Sequence, residues 1–160
     1  MHLRQATPAD AAAIWELRRL SLLAGCRGFY PDDLLEAWAG GPMPADFAQH
    51  IRGHWYLIEE GQQLLASGTV NLDSGRLDGL LVHPEAFRQG LGKWMMAHLE
   101  LLARQHGLDS LSLDASLNAV PFYSALGFEG GETGFYQSPR GMTLACMPMR
   151  KSLVDTAPQG

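Results

Sequence analysis

The stretch that most constrains this chain is Val82-His83-Pro84-Glu85-Ala86-Phe87-Arg88-Gln89-Gly90-Leu91-Gly92-Lys93. Leu77–Val82 reads as a strand, and a glycine-bearing turn then opens directly into a helix. Leu91, Met95, Leu99 and Leu102 fall on one face of that helix at helical spacing, over about Leu91 to His106. Gly107 suits the position just past its end. The first turn of a helix carries backbone N–H groups with no intrahelical partner, and the macrodipole is positive there. Gly90 and Gly92 let an anion approach the backbone without meeting a Cβ, and Arg88 and Lys93 add positive charge. The stretch therefore predicts a phosphate or pyrophosphate site at a strand-to-helix junction.

Two common phosphate turns do not fit. A Walker A loop needs GxxxxGK[ST], but Phe87 stands where its first glycine belongs and Trp94 follows Lys93. A dinucleotide fingerprint needs GxGxxG, but Met95 fills the third glycine position in mid-helix. Two glycines alone equally describe a tight bend with no ligand, so the rest of the chain must decide.

That remainder reads as one α/β (α+β) domain of ordinary globular composition, 46% hydrophobic and 18% charged. Leu3–Gln5 is a strand. Thr7, Pro8 and Asp10 form a helix start close to a capping box, followed by Ile14, Leu17 and Leu20 or Ser21 at helical spacing. A second short helix runs from Pro31 to Ala39, and Ala45–Ile51 is weakly helical. Trp55–Glu59 and Leu64–Leu72 predict a hairpin turning at Glu60-Gly61-Gln62. Leu111–Ala115 is a strand, Val120–Leu126 a short helix closed by Gly127, and Met142–Met149 a last strand. No repeat or long linker divides the chain, so residues 1–151 form one domain and 152–160 a flexible tail.

A net charge of −5 gives no footprint for nucleic acid or an anionic membrane. No apolar run reaches spanning length, and the N-terminus lacks a secretory pattern, which predicts a cytoplasmic protein. Cys26 and Cys146 have no CxxC spacing and read as two free, buried thiols.

A second motif gives the glycine turn its context. Val82-His83-Pro84 followed by Phe87-Arg88-Gln89-Gly90-Leu91-Gly92 resembles the acetyl-CoA motif of the GNAT superfamily, [QR]xxGx[GA]. Some 25 residues on, Ser116-Leu117-Asn118-Ala119-Val120-Pro121-Phe122-Tyr123-Ser124-Ala125-Leu126-Gly127-Phe128 is similar to that family's "PFY..LGF" signature. Leu3–Asp10 looks like its opening and Met149-Arg150-Lys151 like its end. The resemblance spans about residues 2–151 and is strongest over 77–128. One departure is clear: Phe87 fills the first motif position, in place of Arg or Gln.

The resemblance implies a single-domain GNAT fold: a central mixed, mostly antiparallel sheet flanked by helices, with splayed central strands. It implies acetyl-CoA as cosubstrate and no metal, with Val82, Arg88, Gln89, Gly90, Leu91, Gly92, Lys93 and Asn118 binding it. Backbone amides of Arg88–Lys93 would hold the pyrophosphate. Val82 would offer its N–H to the thioester carbonyl, and Asn118 would touch the pantetheine arm or cap the following helix. By pattern alone Tyr123 reads as a core aromatic; the resemblance places it at the position that often acts as general acid toward the leaving thiolate. The implied enzyme is an acyltransferase that moves acetyl to a primary amine of a small molecule or peptide by direct attack. A homodimer is compatible with the resemblance. The alternative is a non-catalytic acyl-CoA sensor.

The base and the acceptor are less constrained. Asp78 shares a strand face with Leu80 and Val82 by period two, His83 titrates in a suitable range, and a water chain would also serve. The resemblance implies an acceptor pocket walled by the first two helices and their connection, which here hold Cys26, Phe29, Tyr30, Pro31 and Trp38, with Tyr30 the best single contact. Asp32, Asp33 and Glu36 could attract a cation or simply cap a helix start. His50 and His54 stand four apart, but Gly53 breaks the helix and no third ligand follows, so a metal is not expected. Trp94, Met95 and Met96 read as helix packing.

Overall fold

The computed structural model describes residues 1–138 and 141–154. In chain order the elements are β1 (His2–Gln5), α1 (Ala11–Gly25), α2 (Asp32–Ala39), α3 (Phe47–Ile51), β2 (Trp55–Glu60), β3 (Gln63–Val70) and β4 (Leu77–Val82). They continue as α4 (Leu91–Gln105), β5 (Ser110–Ser116), α5 (Val120–Ala125), β6 (Glu129–Gly130), β7 (Gly134–Gln137) and β8 (Thr143–Ser152). Short 3₁₀ turns precede α1, α4 and α5.

The strands form two antiparallel ladders. One has the order β1-β2-β3-β4; in the other, β5 pairs one edge of β8 while β6 and β7 share its opposite edge. Between β4 and β5 there is one parallel bridge, Arg76 to Ser112, where the Ser112 N–H donates to Gly75 O at 3.0 Å. Beyond it the described strands share no ladder pair, so they part from Arg76 and Ser112 toward Val82 and Ser116. The splayed centre predicted from the motifs is present.

Helix α4 covers one face of the sheet. Leu91, Met95, Met96, Leu99 and Ala103 are buried on it together with Leu111, Leu113 and Ala115 of β5. Contact with β3 is tight: a Cβ on Gly68 would sit 2.8 Å from Met95 Cγ. Each fully buried Leu or Met among them contributes roughly 1.5–3 kcal/mol. Gly107, at φ +80°, ends the helix in the left-handed region as expected. Trp94 departs from its expected packing: it is 39% exposed, because it lies outside the buried stripe. Helices α1 and α3 cover the other face of the first sheet, burying Ile14, Ile51 and Leu57. A third cluster, Cys26, Tyr30 and Leu35, fastens α2 below β8.

The sequence-predicted hairpin is β2–β3, turning at Gly61 with φ +62°. The helix start at Thr7 also forms: its N–H donates to the Asp10 carboxylate at 2.8 Å, and Arg4 clamps the same carboxylate. Strands β6 and β7 were not predicted, and the last strand is longer than Met142–Met149. It runs to Ser152, and Leu153 is buried with its N–H on Asp109 O at 2.7 Å. Of the predicted tail, residues 155–160 lie outside the described residues.

Candidate active site

The gap between β4 and β5 opens into one continuous cleft of about 1460 Å³. At one end lie Arg88, Gly90, Leu91, Gly92 and Lys93; in the middle Val82, Asn118 and Tyr123; at the other end the aromatic side chains of α1, α2 and α3. The separate sequence motifs thus meet in one space.

The turn is built by its dihedral angles. Gly90 is the residue before α4, at φ +78°, and the first helical bond runs from Trp94 N–H to Gly90 O at 2.9 Å. The N–H groups of Leu91, Gly92 and Lys93 therefore have no partner within the helix. Arg88 also has a positive φ, +66°, the one described non-glycine residue to do so. For a side-chain-bearing residue that conformation costs roughly 1–2 kcal/mol, and such strain concentrates at working sites. The two glycines divide the work. A Cβ at Gly90 would meet nothing within 4 Å, so the approach to the amides is open; one at Gly92 would sit 3.2 Å from Phe122 Cζ. Gly90 thus sets the turn and Gly92 lets α4 pack on α5. An open row of amides at a positive helix end, flanked by Arg88 and Lys93, fits a pyrophosphate. Phe87 does not project a charge here; it lines the cleft, its ring tip approaching Gly25 near the Asn118 amide.

Val82 lies at the open edge of β4. The next amide, His83 N–H, donates to Leu65 O on β3 at 2.8 Å, so by strand alternation the Val82 N–H points the other way, toward the gap. There it faces Ser21 Oγ of α1 at 3.4 Å, at the weak limit of a hydrogen bond. Ser21 is a cleft residue that the sequence singled out only as an alternative to Leu20. Its spacing of four from Leu17, which is buried, places it on the sheet-facing stripe.

Tyr123 is buried on α5, edge-to-face with Phe122 at 5.1 Å and with Phe128 at 5.6 Å. Its hydroxyl makes no hydrogen bond among the described residues, although the side chain lines the cleft. Burial pushes its pKa up to about 12, so it stays protonated as a donor. Asn118 does not cap α5, whose N-cap is Ala119. Its Oδ1 instead accepts the Cys26 thiol at 3.1 Å.

Tyr30 lines the cleft, but its hydroxyl is committed: it donates to Ala145 O at 2.6 Å and accepts from Leu117 N–H at 3.1 Å. What it offers a ligand is its ring. His83 does not line the cleft; its Nδ1 accepts Glu85 N–H at 3.1 Å and shapes the turn. Asp78 does line it, and it sits at a bulge, unpaired on β3 between the pairs Gly79–Thr69 and Leu77–Val70. The bulge breaks the period-two pattern, so Leu77 packs in the same cluster as Leu80 and Val82. The Asp78 carboxylate lies 3.6 Å from Arg76, which is also paired with Asp114. Burial raises the Asp78 pKa, and Arg76 opposes that.

Both cysteines are free, buried and at the cleft wall. Burial pushes the Cys26 thiol up to about 11 and raises Cys146 as well, where Asp114 adds to the effect. His50 is held by Asp46 at 3.0 Å, and no described group of three His, Cys, Asp or Glu side chains could hold a metal ion.

The comparisons with known proteins agree with this geometry. The chain superposes on a GCN5-related N-acetyltransferase from Rhodopseudomonas palustris with a TM-score of 0.86 at 27% identity, covering 95% of each chain. The fold is shared with the paia N-acetyltransferase of Thermoplasma acidophilum, solved with coenzyme A, at TM-score 0.71 and 17% identity, over 94% of this chain and 98% of that one. It is shared too with yncA of Salmonella typhimurium, solved with its cofactor acetyl-CoA, at TM-score 0.65 and 20% identity, over 100% and 98%. The model of the acetyltransferase (GNAT) family matches residues 14–128, a span holding the glycine turn, Val82, Asn118 and Tyr123. The chain belongs to the GNAT acetyltransferase family, whose cosubstrate is acetyl-CoA.

Proposed function

We propose that this acyltransferase moves the acetyl group of acetyl-CoA to a primary amine, on a small molecule or a peptide, by direct attack of the amine nitrogen. The observation that carries this reading is the Val82 N–H directed into the gap, in the same cleft as the open amides of Leu91, Gly92 and Lys93. A thioester carbonyl seated at Val82 would meet a fixed donor as charge develops on its oxygen. Amides of Arg88–Lys93 bind the pyrophosphate, with Arg88 and Lys93 adding charge; Gln89 belongs to the same turn. Asn118 and Phe87 border the pantetheine arm.

The new C–N bond forms as the C–S bond breaks. Tyr123 donates its hydroxyl proton to the departing sulfur, and the proton lost by the amine passes through Asp78 or solvent and restores the Tyr123 hydroxyl. Both thiols are held protonated by burial, which supports direct transfer over an acyl-cysteine intermediate. Two unpaired cysteines also suit the reducing cytoplasm, where we place the reaction.

Thermal unfolding with CoA, acetyl-CoA, ATP and NAD tests the first half. At 100 times its Kd a ligand adds roughly 2.7 kcal/mol, so only the CoA forms should raise Tm. A rise with ATP equal to that with CoA would refute the cosubstrate assignment. Thiol release from acetyl-CoA over an amine panel tests the second half. Binding without turnover for every amine would make the chain an acyl-CoA sensor.

A further inference from the structure

We propose that Cys26 is a positioning residue for the cofactor: its thiol holds the Asn118 carboxamide by the oxygen and so turns the nitrogen, as a donor, toward a carbonyl of the pantetheine arm. This rests on the acetyl-CoA site proposed above and adds to it a residue from the end of α1. The contact joins positions 92 apart in the chain, with Cys26 Sγ buried and 3.1 Å from Asn118 Oδ1. Cys26 itself is held on both sides. Its N–H donates to Leu22 O at 3.0 Å, and its carbonyl accepts the Phe29 N–H at 3.0 Å.

The backbone around Asn118 is fixed by other contacts. Ser116 pairs with Cys146 at the end of the β5–β8 ladder, and the Leu117 N–H donates to the Tyr30 hydroxyl at 3.1 Å. What remains free is the carboxamide, whose half-turn about its last torsion keeps the shape and exchanges donor for acceptor. The thiol decides between the two. A protonated thiol donates, and sulfur accepts only weakly, so the amide oxygen is the better partner. Burial keeps the proton on, pushing the Cys26 pKa up to about 11, with the Ser116 side chain working the other way.

The nitrogen then lies on the ligand's side. A Cβ on Gly25 would stand 3.3 Å from Asn118 Nδ2 and 3.9 Å from Phe87 Cζ, so the missing side chain leaves room for the amide beside α1 and the Phe87 ring. Gly25, Phe87 and Asn118 all line the cleft, and Nδ2 makes no hydrogen bond among the described residues. A donor there suits the pantetheine arm, which carries amide carbonyls. A carboxamide turned the other way would meet those carbonyls with an acceptor and would leave its nitrogen against the thiol.

Calorimetric titration with CoA and with 3′-phospho-ADP, the part of CoA without the pantetheine arm, tests this. Cys26→Ala should bind CoA about threefold to tenfold more weakly, the scale of one hydrogen bond, and keep the wild-type affinity for 3′-phospho-ADP. Cys26→Ser, which retains a donor, should recover most of the loss. In turnover the alanine change should raise KM for acetyl-CoA more than it lowers kcat. In an Asn118→Ala background, Cys26→Ala should weaken CoA binding no further. A cooperative thermal transition reports that each variant is folded; if Cys26→Ala lacks one, Cys26→Val takes its place. Wild-type CoA affinity in the folded variant would overturn the proposal. So would equal losses for CoA and 3′-phospho-ADP, a serine variant as weak as the alanine one, or additive losses in the double variant. Those results leave the acetyltransferase reading intact, whereas a wild-type protein that does not bind CoA would remove both.

Discussion

The Val82 amide and the Ser21 hydroxyl face one another across the cleft, with the N–H directed at Oγ over 3.4 Å. The bond is long, and it occupies the donor that the proposed reaction needs for the thioester oxygen. A weak, replaceable partner is what such a donor requires: it satisfies the amide in the free protein and yields to a better acceptor. Ser21→Ala should therefore fold and retain turnover. Ser21→Leu, which fills the space before the amide, should reduce kcat by about 10²-fold, the scale of losing one oxyanion donor. Steady-state thiol release on both variants measures this; equal activity in the leucine variant would show that Val82 N–H is not used.

Tyr123→Phe removes only the hydroxyl, from a ring held by Phe122 and Phe128. As the general acid, its loss should lower turnover by roughly 10²–10⁴-fold while the CoA-induced rise in Tm persists. The group also has a signature in stability. Its folded pKa is about 12, above the ordinary value of 10, so the folded protein keeps a proton that the unfolded chain releases. Its contribution is complete below pH 10 and is lost as pH rises from 10 toward 12. Chemical denaturation of wild type and Tyr123→Phe at pH 9, 10 and 11 should show a steeper alkaline decline in the wild type.

Local features were legible in the sequence and long-range ones were not. The turn into α4, its buried stripe and the Gly107 stop are set by residues within a few turns of one another, so spacing alone reveals them. The two cofactor motifs carried their roles through resemblance, and their meeting in one cleft follows from β4 and β5 lying side by side. Leu77 shows where spacing stops being informative. Period two assumes an unbroken ladder, and the bulge at the Thr69–Val70 step is a property of the β3–β4 pairing that no single strand encodes. Strands β6 and β7 escaped for a related reason. Gly130 and Gly134 have low strand propensity, and their conformation depends on pairing with β8. The committed hydroxyl of Tyr30 depends on Leu117 and Ala145, 87 and 115 positions away, which is equally invisible in local pattern.

His98 on α4 lies 4.5 Å edge-to-face from Tyr56, and its Nε2 is buried without a hydrogen-bond partner among the described residues. Burial lowers its pKa below the ordinary 6.5, since the imidazolium would lack water there. The unfolded chain therefore takes up a proton that the folded chain resists. Stability from this site is complete above pH 6.5 and declines as pH falls below it. His98→Leu removes the titrating group at an apolar site. Its urea midpoint should change less between pH 7.5 and 5.0 than that of the wild type; equal slopes would show that His98 is neutralised some other way.

Gly90→Ala separates the backbone role of the turn from its packing. The added Cβ would meet no atom of the described residues within 4 Å, so steric clash with them contributes nothing. What remains is the left-handed conformation at φ +78°, which costs a residue with a Cβ about 1–2 kcal/mol. The methyl group also stands over the open approach to the Leu91, Gly92 and Lys93 amides. Gly92→Ala differs, because its Cβ would press on Phe122 at 3.2 Å and shift α4 against α5. Gly90→Ala should thus lower stability modestly and weaken CoA binding strongly, with the loss falling on the phosphate end of the ligand. Titration with CoA and with pantetheine, which lacks the pyrophosphate, separates the two effects. The variant should lose affinity for CoA and keep that for pantetheine, whereas equal losses for both would assign the pyrophosphate to another part of the cleft.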